Sequence, residues 1–144
     1  MATVELRFSA LPEHVRTARL VAAAVARRAG VDEAVLDEVR LAVGEACSRA
    51  VGLHRSHEIT APVKVALIEE EKQFSIEVGD EVPHATHTPG ETGAAEDGDG
   101  DVEEDEMGLA VISGLVDDVE VTSGRDGGLI RMTWPTAPPA VALA

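Results

Sequence analysis

"LDEVRLAVGEACSRAV", Leu36 to Val51, decides how the rest of the chain is read. Its apolar residues Leu36, Val39, Ala42, Val43, Ala46, Cys47 and Ala50 recur at three- and four-residue steps, the signature of an amphipathic helix. The stripe is wide, so this helix is expected to pack heavily against a sheet. Within it, Glu45 and Arg49 lie four apart and project from one face, one turn from each other. They read either as an ion pair or as part of an old active site. Asp32 is placed to cap the helix, which is expected to end near Leu53, before "HRSHE".

Upstream, "TVELRFSA" alternates Val4, Leu6 and Phe8 with polar residues and reads as a strand. Pro12 suits a first helical position and Gly30 a C-terminal stop, giving a first helix over Pro12 to Ala29. Downstream, "PVKVALIEE" and "QFSIEVGD" read as a hairpin. "MGLAVISGLVDD" is a short helix, and "VEVTS" and "LIRMTW" form a second hairpin around "GRDGG". Residues 83–106 hold turn formers and acids without apolar periodicity, the pattern of a lid or a disordered segment. With three prolines in ten residues, 135–144 reads as a loose tail.

Strand, two helices, two strands, lid, helix and two strands leave too few crossover helices for a doubly wound parallel sheet. The expected fold is α+β: a two-layer sandwich in one domain, residues 1–134, with a mixed, mostly antiparallel sheet and helices on one face. Aromatics make up only 2% of the chain, so the core must be built from Val, Leu, Ile and Ala. The lone Cys47 falls in the helical stripe and reads as a small buried hydrophobe, in keeping with a reducing compartment. No leader and no run of about 20 apolar residues is visible, so the expectation is a soluble, cytoplasmic protein.

The formal net charge is −15, and the excess is confined to one stretch. Between Gln73 and Gly124 there are fifteen acids and no Lys or Arg; the rest of the chain sums to zero. Such a chain repels nucleic acid and anionic lipid, which argues against both as partners. The histidines show no metal-site spacing with Cys or carboxylates, so no metal site is expected. No serine sits in a nucleophile elbow.

Three segments carry candidate chemistry. The long helix offers Glu45, the strand end "IEVGDEVP" offers the carboxylate of Asp80, and a helix start at Gly108 and Leu109 offers free backbone N–H groups, a ready anion site. Their order and spacing resemble the N, G1 and G2 boxes of the GHKL (Bergerat-fold) ATPases. Within them the chain is most similar to the RsbW- and SpoIIAB-like anti-sigma factors that double as serine-protein kinases. "LDEVRLAVGEACSRAV" resembles that group's Leu-x-x-Val-x-Leu-Ala-Val-x-Glu-Ala-x-x-Asn-Ala-Val signature, and "GLAVISGLVDDVEV" its Gly-Leu-x-Leu-Ile-x-x-Leu-x-Asp-x-Val segment. The likeness runs from about Thr3 to Trp134.

The resemblance implies ATP with Mg²⁺ as cofactor. It implies Glu45 as the general base for a substrate serine, Asp80 as the acceptor for the adenine amine, Gly108 and Leu109 against the phosphates, and residues 83–106 as the ATP lid. It implies a sigma factor and a STAS-domain anti-anti-sigma protein as partners, and it suggests a homodimer. The chain departs from the pattern in several places. Arg49 stands where the family has the Asn that holds Mg²⁺; a guanidinium has no acceptor and cannot ligate a cation. Both G1 glycines are replaced, by Val82 and His84, Pro83 lies between them, and Ala110 replaces the second G2 glycine. Nine acids from Glu91 to Glu106 would meet a triphosphate with like charge.

Phosphoryl transfer depends on positioning and metal-assisted charge stabilisation. The expectation is therefore an anti-sigma factor that sequesters a sigma factor, is released by the STAS partner, and carries no cofactor. Two alternatives remain: a working serine-protein kinase in which Arg49 itself holds phosphate, and a sensor in which Arg49 and Asp80 read a different purine nucleotide.

Overall fold

The computed structural model describes residues 2–83 and 109–136. Five strands form one sheet: β1 (Ala2–Phe8), β2 (Val63–Glu69), β3 (Gln73–Gly79), β4 (Asp118–Gly124) and β5 (Gly127–Pro135). Their order is β1-β2-β3-β5-β4, and every described pairing is antiparallel. Helix α1 (Glu13–Ala29), a 3₁₀ turn (Glu33–Val35) and helix α2 (Leu36–Ser56) lie between β1 and β2. A third helix, α3, covers residues 109–115 before β4. The α+β sandwich expected from the sequence is the fold observed.

Alternation along the strands separates the two faces of the sheet. Val63, Val65 and Leu67 of β2, Phe74, Ile76 and Val78 of β3, and Ile130, Met132 and Trp134 of β5 are buried beneath the helices. The intervening Lys64, Glu77 and Arg131 point away from them, and Arg131 pairs there with Glu70 and Glu77. From the helical layer, α1 contributes Ala18, Ala22 and Ala26, and α2 contributes Val39, Val43, Ala46, Cys47 and Ala50. Small residues let the two helices approach closely. At Gly44 an added Cβ would lie 2.8 Å from Cδ of Arg19 on α1, so the stem of Arg19 crosses α2 where that glycine leaves room.

Helix α1 ends where Gly30 adopts φ 103°, a left-handed cap, and Val31 N–H donates to Ala26 O. Asp32 does cap the next segment by accepting from Ala34 N–H, but that segment is first the 3₁₀ turn and only then α2. Helix α2 runs to Ser56, three residues beyond the expected end. Within that extension His54 is fully buried.

Candidate functional site

The strand pairing of β3 with β5 does not stop at Gly79. Asp80 N–H donates to Gly128 O at 3.0 Å, and Gly128 N–H returns to Asp80 O at 3.2 Å, adding one rung to the ladder. That rung needs Gly127, whose φ is 126°. A Cβ there would lie 2.0 Å from Asp80 O. A glycine is therefore what allows the backbone of β5 to come this close to Asp80.

The extra rung fixes the Asp80 side chain as well. Its Oδ1 accepts from Val82 N–H at 2.9 Å, an Asx turn, and from Gly128 N–H at 3.2 Å. The next residue is held from the helical layer: Glu81 N–H donates to Nε2 of His54 at 2.9 Å. Because that partner is a donor, Nε2 must be the acceptor. Nδ1 then carries the proton and donates to Ala61 O, 2.9 Å away. His54 thus ties the end of α2 to the approach to β2 and to the exit from β3.

Arg49 completes the arrangement. Its Nη1 lies 3.9 Å from Oδ2 of Asp80, and both side chains are largely buried, 12% and 3% exposed. In the sequence, helical spacing pairs Arg49 with Glu45. The structure corrects this: Arg49 pairs with Asp80, and Glu45 makes no ion pair among the described residues. The physical reason is desolvation. Glu45 is half-buried and reaches water, whereas Asp80 is enclosed and gains more from a neighbouring cation.

The structure therefore brings Arg49 and Asp80 together and leaves Glu45 one turn away on α2. Leu109 lies half-buried at the start of the described part of α3, and Gly108 falls outside the described residues. So do most of the expected lid and His84, which stands at the second G1 glycine position. Sequence reasoning missed His54 and Gly127. For His54 a signal existed: Val43, Cys47, Ala50 and His54 continue the buried stripe at steps of four, three and four. For Gly127 it lay in the Gly-Gly pair of the second hairpin.

Among the described residues no three potential metal ligands converge, and no helix is long and apolar enough to cross a membrane. Cys47 is enclosed by α2 and the sheet, and burial pushes its thiol up to about 12, so it is a poor nucleophile.

The architecture has known counterparts. The model of the histidine kinase-like ATPase domain matches residues 8–134. No curated protein sequence matches the chain. Among solved structures, the RsbU and RsbW domains of Rv1364c from Mycobacterium tuberculosis superpose with a TM-score of 0.66 at 16% identity. That match covers 96% of this chain but 34% of the mycobacterial one, so the chain spans about a third of that protein. At that identity the likeness is one of fold; the family model, matched over nearly the whole sequence, shows that the chain belongs to the histidine kinase-like ATPase domain family.

Proposed function

We propose that this member of the family works by binding rather than by turnover: an anti-sigma factor that sequesters a sigma factor and is released by a STAS-domain anti-anti-sigma partner. The observation that carries the reading is the guanidinium of Arg49 against the Asp80 carboxylate. The residues present do not fit Mg-ATP. Arg49 cannot ligate a metal ion, and its charge already faces the carboxylate that the family resemblance assigns to the adenine amine. After Asp80 the backbone continues through Glu81, Val82 and Pro83, which lack the freedom of a glycine turn. Glu45 then has no activated phosphoryl group to serve.

The surface best suited to a protein partner is the outer side of the helical layer. In a chain of net charge −15, α1 carries Arg16, Arg19, Arg27 and Arg28 against the single acid Glu13. Arg16 and Arg19 form no ion pair among the described residues. Beside them Leu20 and Leu41 are more than half exposed. A hollow of about 140 Å³ lies between Leu20, Ala23, Ala24, Arg27 and Arg40. Arg27 and Arg40 at this hollow pair with Glu33 and Asp37, so the charge left to meet a partner beside the exposed leucines is that of Arg16 and Arg19, which fits a surface of apolar side chains with a few acids.

The test is reconstitution of the full chain with the sigma factors and STAS proteins of its own cell. The expected result is a stable complex with one sigma factor, displaced by one STAS protein, and weakened at least about tenfold by Arg19→Glu with Leu20→Asp. A Mg²⁺-dependent rise of several degrees in melting temperature with ATP would overturn the reading, since only a ligand of the native state raises apparent stability. Transfer of the γ-phosphate to a STAS serine, lost in Glu45→Gln, would also overturn it.

A further inference from the structure

We propose that the free edge of β4 is a strand-addition site for an extended segment of a partner protein in which apolar and basic residues alternate. The proposal does not depend on which partner the helical layer takes. Its first ground is the set of backbone groups that β5 leaves unserved. Asp80 and Gly128 exchange both of their backbone hydrogen bonds, so Gly128, Ile130, Met132 and Trp134 turn their N–H and C=O groups towards β3. The alternate residues Leu129, Arg131 and Thr133 then serve β4, where they pair with Thr122, Glu120 and Asp118. The backbone groups of Val119, Val121 and Ser123 consequently point away from β5, to the edge of the sheet. Among the described residues no strand lies there. The register with β5 is unbroken from Asp118 to Gly124, and neither a proline nor a bulge closes the edge.

The side chains of this edge define what fits it. Val119 and Val121 face the helical layer, opposite Met132 and Ile130. Ile130 is buried, whereas Val121, on the last strand, is 48% exposed. On the other face Asp118 and Glu120 are exposed and form no ion pair among the described residues. Arg131, directly across from Glu120, pairs with Glu70 and Glu77 instead. Asp117 adds a third acid, and no Lys or Arg occurs from there to Gly124. An added strand therefore gains most with apolar side chains beside Val119 and Val121 and basic ones beside Asp118 and Glu120. The same charges repel the two occupants nearest at hand. The chain's own segment 84–108 holds nine acids and no Lys or Arg. A second copy joined β4 to β4 would bring two sets of Asp117, Asp118 and Glu120 to one seam.

The probe is a capped heptapeptide of alternating Lys and Val, added to the isotope-labelled full chain and followed by amide hydrogen exchange in NMR. Its control has the same composition with the valines grouped together. The acids between Glu91 and Glu106 attract any basic peptide, so affinity alone does not decide; the pattern of protected amides does. The expected result is exchange slowed about tenfold or more at the amides of Val119, Val121 and Ser123. The amides of Glu120 and Thr122, already bonded to β5, should change little, and the control peptide should give no such alternation. Val121→Pro removes an outward donor and none of the bonds to β5, so it should melt near the native chain yet bind at least about tenfold more weakly. Should that variant fail to fold, a peptide N-methylated at alternate residues carries the same test on the native chain. Asp118→Asn with Glu120→Gln should weaken binding about twofold to tenfold. Unchanged exchange at the three amides with about 1 mM peptide would overturn the proposal. So would equal protection by the control peptide, or full binding to folded Val121→Pro. A peptide of alternating Glu and Val that protects the same amides equally well would overturn the assignment to a basic segment.

Discussion

Gly127→Ala tests the geometry of the site most directly. The new Cβ would lie 2.0 Å from Asp80 O and 3.0 Å from both the Asp80 carbonyl carbon and Glu81 Cα. Real Cβ contacts stop near 3.0 Å, so the two backbones must separate by about 1 Å. All three neighbours are main chain, so no side chain can swing aside. Separation breaks the Asp80–Gly128 rung, two hydrogen bonds at about 1 kcal/mol each. Holding alanine at φ 126° adds about 1–3 kcal/mol. The sum, about 3–5 kcal/mol, is a large fraction of the roughly 5–15 kcal/mol that holds a domain together. For a chain of this size it corresponds to a fall in melting temperature of about 10 °C or more. Calorimetry or a urea titration reads it. Gly124→Ala is the control, since a Cβ there meets nothing within 4 Å, and it should melt near the native chain. A Gly127→Ala protein within about 2 °C of native would refute the reasoning, because β5 could not then be pressed against Asp80.

His54→Ala should cost about 2–4 kcal/mol, because it strands Ala61 O and Glu81 N–H and leaves a cavity; urea unfolding measures it, and faster hydrogen exchange at the Glu81 amide would localise the loss. Removing the Arg49–Asp80 pair should be non-additive: Arg49→Met and Asp80→Asn together should cost at least about 1 kcal/mol less than the sum of the two, since both single changes remove the same interaction between two largely enclosed charges. Cys47 makes stability depend on alkaline pH. Below about pH 9.0 the thiol is protonated in both states; above it the unfolded thiol ionises while the native one, pushed up to about 12, does not. Stability should therefore fall as pH rises from about 9 towards 12, by up to about 1.4 kcal/mol per pH unit from this group. Cys47→Ala, though less stable at neutral pH, should flatten that part of the curve in denaturant titrations.

The elements were legible where one physical signal dominated. Alternation in "TVELRF" and "VKVALI", the glycine stop at Gly30 and the apolar stripe of α2 each follow from local geometry, so strand, helix and end could be read without knowing the fold. The site was legible in its parts and not in its pairing. Helical spacing made Glu45 the natural partner of Arg49, because a sequence displays neighbours along a helix and hides those across a sheet. The partner actually used, Asp80, lies 31 positions away, and its attraction comes from burial, which only the packed structure sets. His54 was hidden for a related reason. Its residue type argued for surface, and only the two backbone groups that flank it in three dimensions make burial favourable.

Asp80 explains why Arg49 belongs where it is. The carboxylate is fixed by backbone donors and enclosed, so its charge needs compensation in every state of the folded chain. A chain that keeps the Asp80 carboxylate for its Asx turn gains from a cation beside that enclosed charge. A short residue at position 49 could not supply it, whereas arginine spans from α2 to the end of β3 and carries a charge that does not titrate. On this argument Arg49 and Asp80 form a unit that ties the helical layer to the sheet. Asp80 would then be worth keeping for the fold even in a chain that binds no nucleotide.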